Sequence, residues 1–338
     1  MRPVLTKEEV RSAIRFKDTK HIPLWYTDFA SQTKKKLGSR LKTILKNYPP
    51  DFICKVTVLM LSKDVDEWGV KQAVPKNSVG AYPIDTAIRD WSDLDDYLLK
   101  LISGNAPKRF TEIEKLRMIH PDKYILGDIG IGFSERMQGI VGIEKFYMSL
   151  VSDLDCIKKL GDKLFEMAME IVENLGWLGV DGVLFNDDYG HQQGLLMSPK
   201  IWREVFKEWY KRLFEKMHSF DMDVIFHSCG KIEEIMDDLI EIGVNVLHPI
   251  QPGCMNTNDI AKKYRGRVCF FTGVDVQSIL ITASPDEVRE EVRKIKKLFT
   301  LDNGSGLIFG PTNAVMPETP IENIYAFFDE AKADSDSE

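Results

Sequence analysis

The sequence predicts an α/β protein, a single (β/α)8 TIM barrel with a long excursion after its second strand, and three observations carry the prediction. Apolar runs of strand length alternate with helical stretches along the 338 residues. Eight such runs can be counted, each followed by a helical segment, and this alternation implies parallel pairing through right-handed crossovers. No Gly-x-Gly-x-x-Gly follows any of the runs, and no phosphate loop is present, so a doubly wound open sheet loses ground.

The chain opens with a helix over 5–16, capped by Thr6 with Glu9 completing a capping box. The first strand is expected over 21–26, a lysine-rich helix over 31–47, and the second strand over 51–59 after Pro49 and Pro50. Residues 62–90 show no clear period and hold Pro75 and Pro83, the mark of a binding loop, lid or excursion. Helical stretches follow over 91–102 and 111–118, then a third strand over 124–128 that ends in Asp128. Helices over 143–150 and 156–175 lead to the fourth strand, 180–188. Ser198 and Pro199 start the next helix, with proline at a position where its missing N–H costs nothing. The fifth strand is Val224, Ile225 and Phe226; the sixth runs over 244–250, the seventh over 268–272 and the eighth over 306–310. A helix over 232–242 follows the fifth. Ser284 and Glu287 form a capping box for a helix to Phe299, and Thr319 with Glu322 is read as the box of the final helix. Residues 1–333 are expected to form one domain, and 334–338 an acidic disordered tail.

Composition narrows the class of function. With 43% hydrophobic and 29% charged residues, a net charge of -7 and no Lys/Arg stripe, nucleic acid is an unexpected partner. The five cysteines are scattered without CxxC spacing, which fits a reduced, cytoplasmic setting. No apolar segment has the length of a signal peptide core or a membrane span, so no membrane partner is expected.

If the barrel closes, the residues just past each strand's carboxyl end share one pocket. His227 and Cys229 lie two apart at the end of the fifth strand, so both point to one side, and imidazole with thiolate suits zinc. A lone His-x-Cys is more often a core histidine beside an inert cysteine; the carboxylates converging on it make the metal reading competitive. Asp187 and Asp188 end the preceding strand, where either could complete a zinc site or act as an acid, and Asp275 follows the seventh. Those three are the catalytic candidates. Trp25, Tyr26, Asp128, Arg136, His191, Gln251 and Asn313 are the substrate-binding candidates, with Asp28, His248 and Thr312 in the same strand-end set. Arg136 and Glu135 read either as an anion clamp or as a surface ion pair, and Cys254 is a thiol that could reach the pair.

Several stretches together resemble the uroporphyrinogen decarboxylase superfamily. They are Asp66-Glu67-Trp68-Gly69, the run from Asp187 through His191 to Pro199, His227-Ser228-Cys229-Gly230, Gln251-Pro252, Gly273-Val274-Asp275, and Pro317 to Asn323. The likeness runs over about 4–332 and implies a (β/α)8 barrel. Porphyrinogen decarboxylases of that superfamily hold substrate carboxylates with an arginine pair after the first strand; this loop, 25–31, contains no arginine. Another branch comprises zinc-dependent methyltransferases that exchange methyl groups with a corrinoid protein and carry His-x-Cys on the fifth strand, as His227 and Cys229 do here. That branch takes a further cysteine from the last strand's loop, where this chain has Thr312-Asn313-Ala314. The resemblance therefore implies a corrinoid-dependent O- or N-demethylase with zinc or an acid activating the leaving group, and a corrinoid supplied by a partner protein. A decarboxylase of tetrapyrrole biosynthesis and a catalytically silent ligand-binding barrel are the alternatives.

Overall fold

The computed structural model describes residues 3–26, 29–75 and 81–333. Its centre is a curled parallel sheet of seven strands, β1 (Phe52–Val56), β4 (Tyr124–Asp128), β5 (Gly182–Asn186), β6 (Asp223–His227), β7 (Val246–His248), β8 (Cys269–Thr272) and β9 (Leu307–Phe309), paired in that order. Between β1 and β4 lies an antiparallel pair, β2 (Lys71–Ala73) and β3 (Tyr82–Asp85), so the segment expected to be irregular carries short strands of its own.

The first expected strand, 21–26, is not a strand of the sheet. It touches β9 through a single Leu24–Phe309 bridge, with Trp25 N–H donating to Phe309 O at 3.0 Å, and reaches the other edge where Asp51 N–H donates to Leu24 O at 2.9 Å. Two donors needed for a ladder are missing. Pro23 has no N–H, and Leu24 N–H is taken by the Asp51 carboxylate at 2.7 Å. The expected helix over 31–47 is two, Ser31–Leu37 and Ser39–Asn47, parted at Gly38 with φ +53°. Both capping boxes at Thr6 and Ser284 form. The third does not: Pro320 takes the cap position, and the buried Thr319 hydroxyl has no hydrogen-bond partner.

Side-chain alternation sorts the strands into two layers. Phe52, Leu126, Leu184, Ile225, Val246, Phe271 and Ile308 face inward and pack with Trp25, and Leu5, Val10 and Ile14 of the helix Lys7–Ile14 join that cluster. Val183, Phe185, Val224, Phe226, Phe270 and Phe309 face outward into the larger core beneath the helices. At the amino ends of the strands, Arg15 pairs with Asp223 at 2.9 Å and Arg11 with Asp181 at 3.3 Å, fixing that first helix in place. The carboxyl ends are left for chemistry. The acidic tail, 334–338, lies outside the described residues.

Candidate metal centre and cavity

Parity decides which side chains meet at the carboxyl ends. Ile225 points inward, so His227 and Cys229 do as well; Leu184 points inward, so Asn186 and Asp188 follow; Val246 sends His248 to the same side. The parallel register sets Asn186 beside His227 and His227 beside His248. The outcome is a triad, Asp188, His227 and Cys229, whose potential ligand atoms all lie within 4.8 Å of one another. His227 Nε2 is 3.4 Å from Cys229 Sγ and 3.4 Å from Asp188 Oδ1. Zinc bonds of about 2.0–2.3 Å at tetrahedral angles place ligand atoms about 3.4–3.6 Å apart, so the imidazole nitrogen stands at zinc spacing from both the sulfur and the carboxylate oxygen.

The surroundings hold the triad in this arrangement. Asp188 Oδ1 also accepts the Cys229 N–H at 2.7 Å, and Gln251 Oε1 accepts the Gly230 N–H at 3.1 Å. Asn313 turns its amide NH2 to Cys229 Sγ at 3.8 Å, so it supports the sulfur rather than offering a ligand oxygen. Behind His227, its Nδ1 meets His248 Nδ1 at 2.7 Å. Burial, and then the positive charge of His227, hold His248 well below the usual histidine range, so it is neutral and accepts that proton. The tautomer of His227 is thereby fixed, with Nε2 facing Asp188 and Cys229. Burial alone would depress the pKa of His227, yet hydrogen bonds to Asp188 and Cys229 outweigh it and raise the imidazole to about 10. Without metal, a proton occupies the place between two acidic groups that a cation would fill.

Next to Cys229 opens a cavity of about 270 Å³ whose walls include His191, Gln251, Cys254, Asp275 and Asn313. The loop carrying His191 crosses the loop carrying Cys229 at two glycines. Gly230 has φ +78°, and a Cβ there would lie 2.4 Å from Gly190 C and 2.6 Å from His191 N. Lys231 N–H donates to His191 O at 2.8 Å across this crossing. Gly230→Ala is expected to cost about 1–3 kcal/mol through the left-handed backbone and the clash, and to weaken metal binding further by moving Cys229. Denaturation midpoints and zinc titration of that variant check both effects.

The family model for uroporphyrinogen decarboxylase matches residues 113–333. The chain belongs to the uroporphyrinogen decarboxylase family. Among solved structures, a methyltransferase from Methanosarcina mazei shares its fold, with a TM-score of 0.73 at 16% identity over 97% of this chain and 98% of that one. An endo-1,4-β-mannanase from Rhizomucor miehei aligns with a TM-score of 0.44 at 10% identity over 92% and 94% of the two chains. A D-psicose 3-epimerase from Clostridium cellulolyticum gives 0.42 at 9% identity over 90% and 93%. A search of curated proteins finds no match.

In this uroporphyrinogen decarboxylase family member several expected site residues serve the scaffold instead. Asp187 has the opposite parity to Asp188 and faces outward. It is fully buried, accepting the N–H groups of Ser134 at 3.0 Å and Glu135 at 2.8 Å, at the start of the helix Phe133–Val141, and the Tyr210 hydroxyl. Burial pushes its carboxyl up to about 6 against those hydrogen bonds. Trp25 is 4% exposed and stacked between Phe52 and Phe271, at 5.2 and 4.8 Å, which leaves no ring face for a ligand. Tyr26 faces the outer core and donates to Tyr48 O at 2.6 Å. Arg136 is neither a clamp nor a surface pair: it binds Asp66 at 2.8 Å and Gly130 O at 2.7 Å and lies 3.7 Å over the Trp68 ring. Asp128 accepts from Gly130 N–H at 2.9 Å and Asn186 Nδ2 at 3.3 Å. Asp28 lies outside the described residues.

Two residues gain importance from the geometry. His248, counted only among strand-end polar groups, becomes the partner that orients His227; parity from Val246 is the signal that would have found it. Glu135 is an exposed residue in the first turn of the helix Phe133–Val141, near enough to Asp188 and His227 to feel their charges. Partial loss of solvation, then the negative charges of Asp188 and Asp187, push its carboxyl up to about 8. An acid that keeps its proton at neutral pH beside a candidate metal centre has no sequence signature of its own.

Proposed function

We propose that the chain is a methyltransferase of the O- or N-demethylase type, taking a methyl group from a small substrate and passing it to a reduced corrinoid carried by a partner protein. The observation that carries this reading is the 3.4 Å spacing of His227 Nε2 from both Cys229 Sγ and Asp188 Oδ1, at the edge of a cavity. Family membership and the methyltransferase fold likeness support it. Asp188, His227 and Cys229 would hold zinc, which supplies Lewis acidity toward the heteroatom that bears the methyl group.

The chain's own residues do the remaining work. His248 holds the His227 tautomer, and Asn313 hydrogen-bonds the Cys229 sulfur. Glu135 supplies the proton that a basic leaving oxygen or nitrogen needs as its bond to carbon breaks. A decarboxylase reading fits less well, because no described Lys or Arg lines the cavity to hold substrate carboxylates and Arg136 is bound to Asp66.

The test is methyl transfer from methoxylated and N-methylated substrates to reduced cobalamin by zinc-loaded protein, followed by the corrinoid's absorption change. Failure with every donor, alongside turnover of a porphyrinogen, would overturn the reading. The pH profile is a second check. Because Glu135 donates only in its protonated form, the rate is expected to fall as pH rises through its pKa, which the neighbouring carboxylates raise. Glu135→Gln should lower the rate by about 10²-fold or more and remove the alkaline limb.

A further inference from the structure

We propose that the substrate of this cavity is a small cation, and that Asp275 is the residue that meets its charge. The inference rests on the methyl-transfer reading only for calling that substrate a methyl donor. The charge assignment stands on the cavity wall itself.

The wall combines sulfur and amide groups, from Cys229, Cys254, Asn313, Gln251 and Gln277, with one carboxylate, Asp275. Inward parity continues from Phe271 through Gly273 to Asp275, which places this carboxylate on the cavity side. Each of its oxygens accepts one bond, Oδ1 from Gln277 N–H at 2.9 Å and Oδ2 from the Ser278 hydroxyl at 2.7 Å. A carboxylate has about four acceptor positions, so lone pairs remain for a ligand.

Asp188, the carboxylate beside Cys229, is paired with His227, whereas no described cation forms an ion pair with Asp275. Its field is felt at a second lining residue: burial first, and then Asp275, raise the thiol pKa of Cys254. A carboxylated ligand would meet like charge here, and no described basic side chain offsets it.

Size and surface chemistry narrow the class further. A cavity of about 270 Å³ has room for roughly nine water volumes, which suits a compact molecule. No described Phe, Tyr or Trp lines it, so a bulky quaternary ammonium would find no aromatic cage, and His191 is the one described ring in the wall. Gln251 and Gln277 instead offer amide oxygens to ammonium N–H donors.

A matched series of one size separates charge from shape: 2-methoxyethylammonium, 2-methoxyethanol and methoxyacetate, titrated calorimetrically at pH 7 into the full-length protein and into Asp275→Asn. The cation should bind at least about ten-fold tighter than the alcohol, with methoxyacetate weakest, and the cation's advantage should vanish in the variant. Methoxyacetate binding as tightly as the ammonium would overturn the assignment, as would a cation preference that survives Asp275→Asn, since an amine ligating bound metal would behave that way. If Asp275→Asn does not fold, Asp275→Ser takes its place in the same series. Methyl transfer from the tightest binder to reduced cobalamin is scored separately. Its absence alongside a retained, Asp275-dependent cation preference would break the methyltransferase reading while the charge assignment holds.

Discussion

Glu67→Ala is expected to lower the free energy of unfolding by about 3–5 kcal/mol, among the largest effects of any single change away from the cavity. Glu67 and Arg109 have fully buried side chains, and Arg109 Nη1 donates to Glu67 Oε1 at 2.6 Å and to Thr57 O at 2.9 Å. The same Glu67 oxygen accepts the Leu59 N–H at 2.9 Å. This pair joins the excursion to the chain leaving β1, so alanine at 67 strands a buried guanidinium with no counter-charge. A Glu67→Met/Arg109→Leu double variant should recover most of the loss, because removing both charges also removes the desolvation cost. Urea midpoints of the single and double variants check this; a loss below about 1 kcal/mol in the single variant would show that the pair is not buried as described.

Cys229→Ala and His227→Ala should each cost more than about 100-fold in zinc affinity and take methyl transfer below detection. The reason is arithmetic in donors: three protein ligands with one open position is the pattern of a catalytic zinc, and two are too few to hold it. His248→Phe keeps the stacking shape against Phe271 but removes the acceptor at 2.7 Å from His227. Loss of such an orienting partner should weaken zinc about 10–100-fold, a graded effect set between wild type and the ligand variants. Competition against a chromophoric chelator measures all three. Equal affinity in His248→Phe and wild type would remove His248 from the account.

The strand positions and the His-x-Cys pair were legible in the sequence because apolar runs and their carboxyl ends are local signals. The loss of the expected first strand was not, since it depends on Asp51 reaching back to take the Leu24 N–H, a contact between residues 27 apart that no periodicity records. The choice between Asp187 and Asp188 was legible in principle. Counting by twos from Leu184 puts Asp188 inward and Asp187 outward, and the same count puts Trp25 inside the sheet and Tyr26 outside. Arg136 illustrates a different limit. Its sequence neighbours suggest a surface residue, whereas its partner Asp66 comes from the excursion, 70 positions away. The raised pKa of Glu135 likewise arises from carboxylates on β5's end that only folding brings near it.

The most direct test of the metal centre is a zinc-edge X-ray absorption spectrum of the protein as purified, with zinc stoichiometry measured on the same sample. One sulfur at about 2.3 Å with nitrogen and oxygen neighbours at about 2.0–2.2 Å, lost in a His227→Ala/Cys229→Ala variant, is the predicted result. A protein that takes up no zinc, or a spectrum with two or more sulfurs, would contradict the Asp188, His227 and Cys229 site.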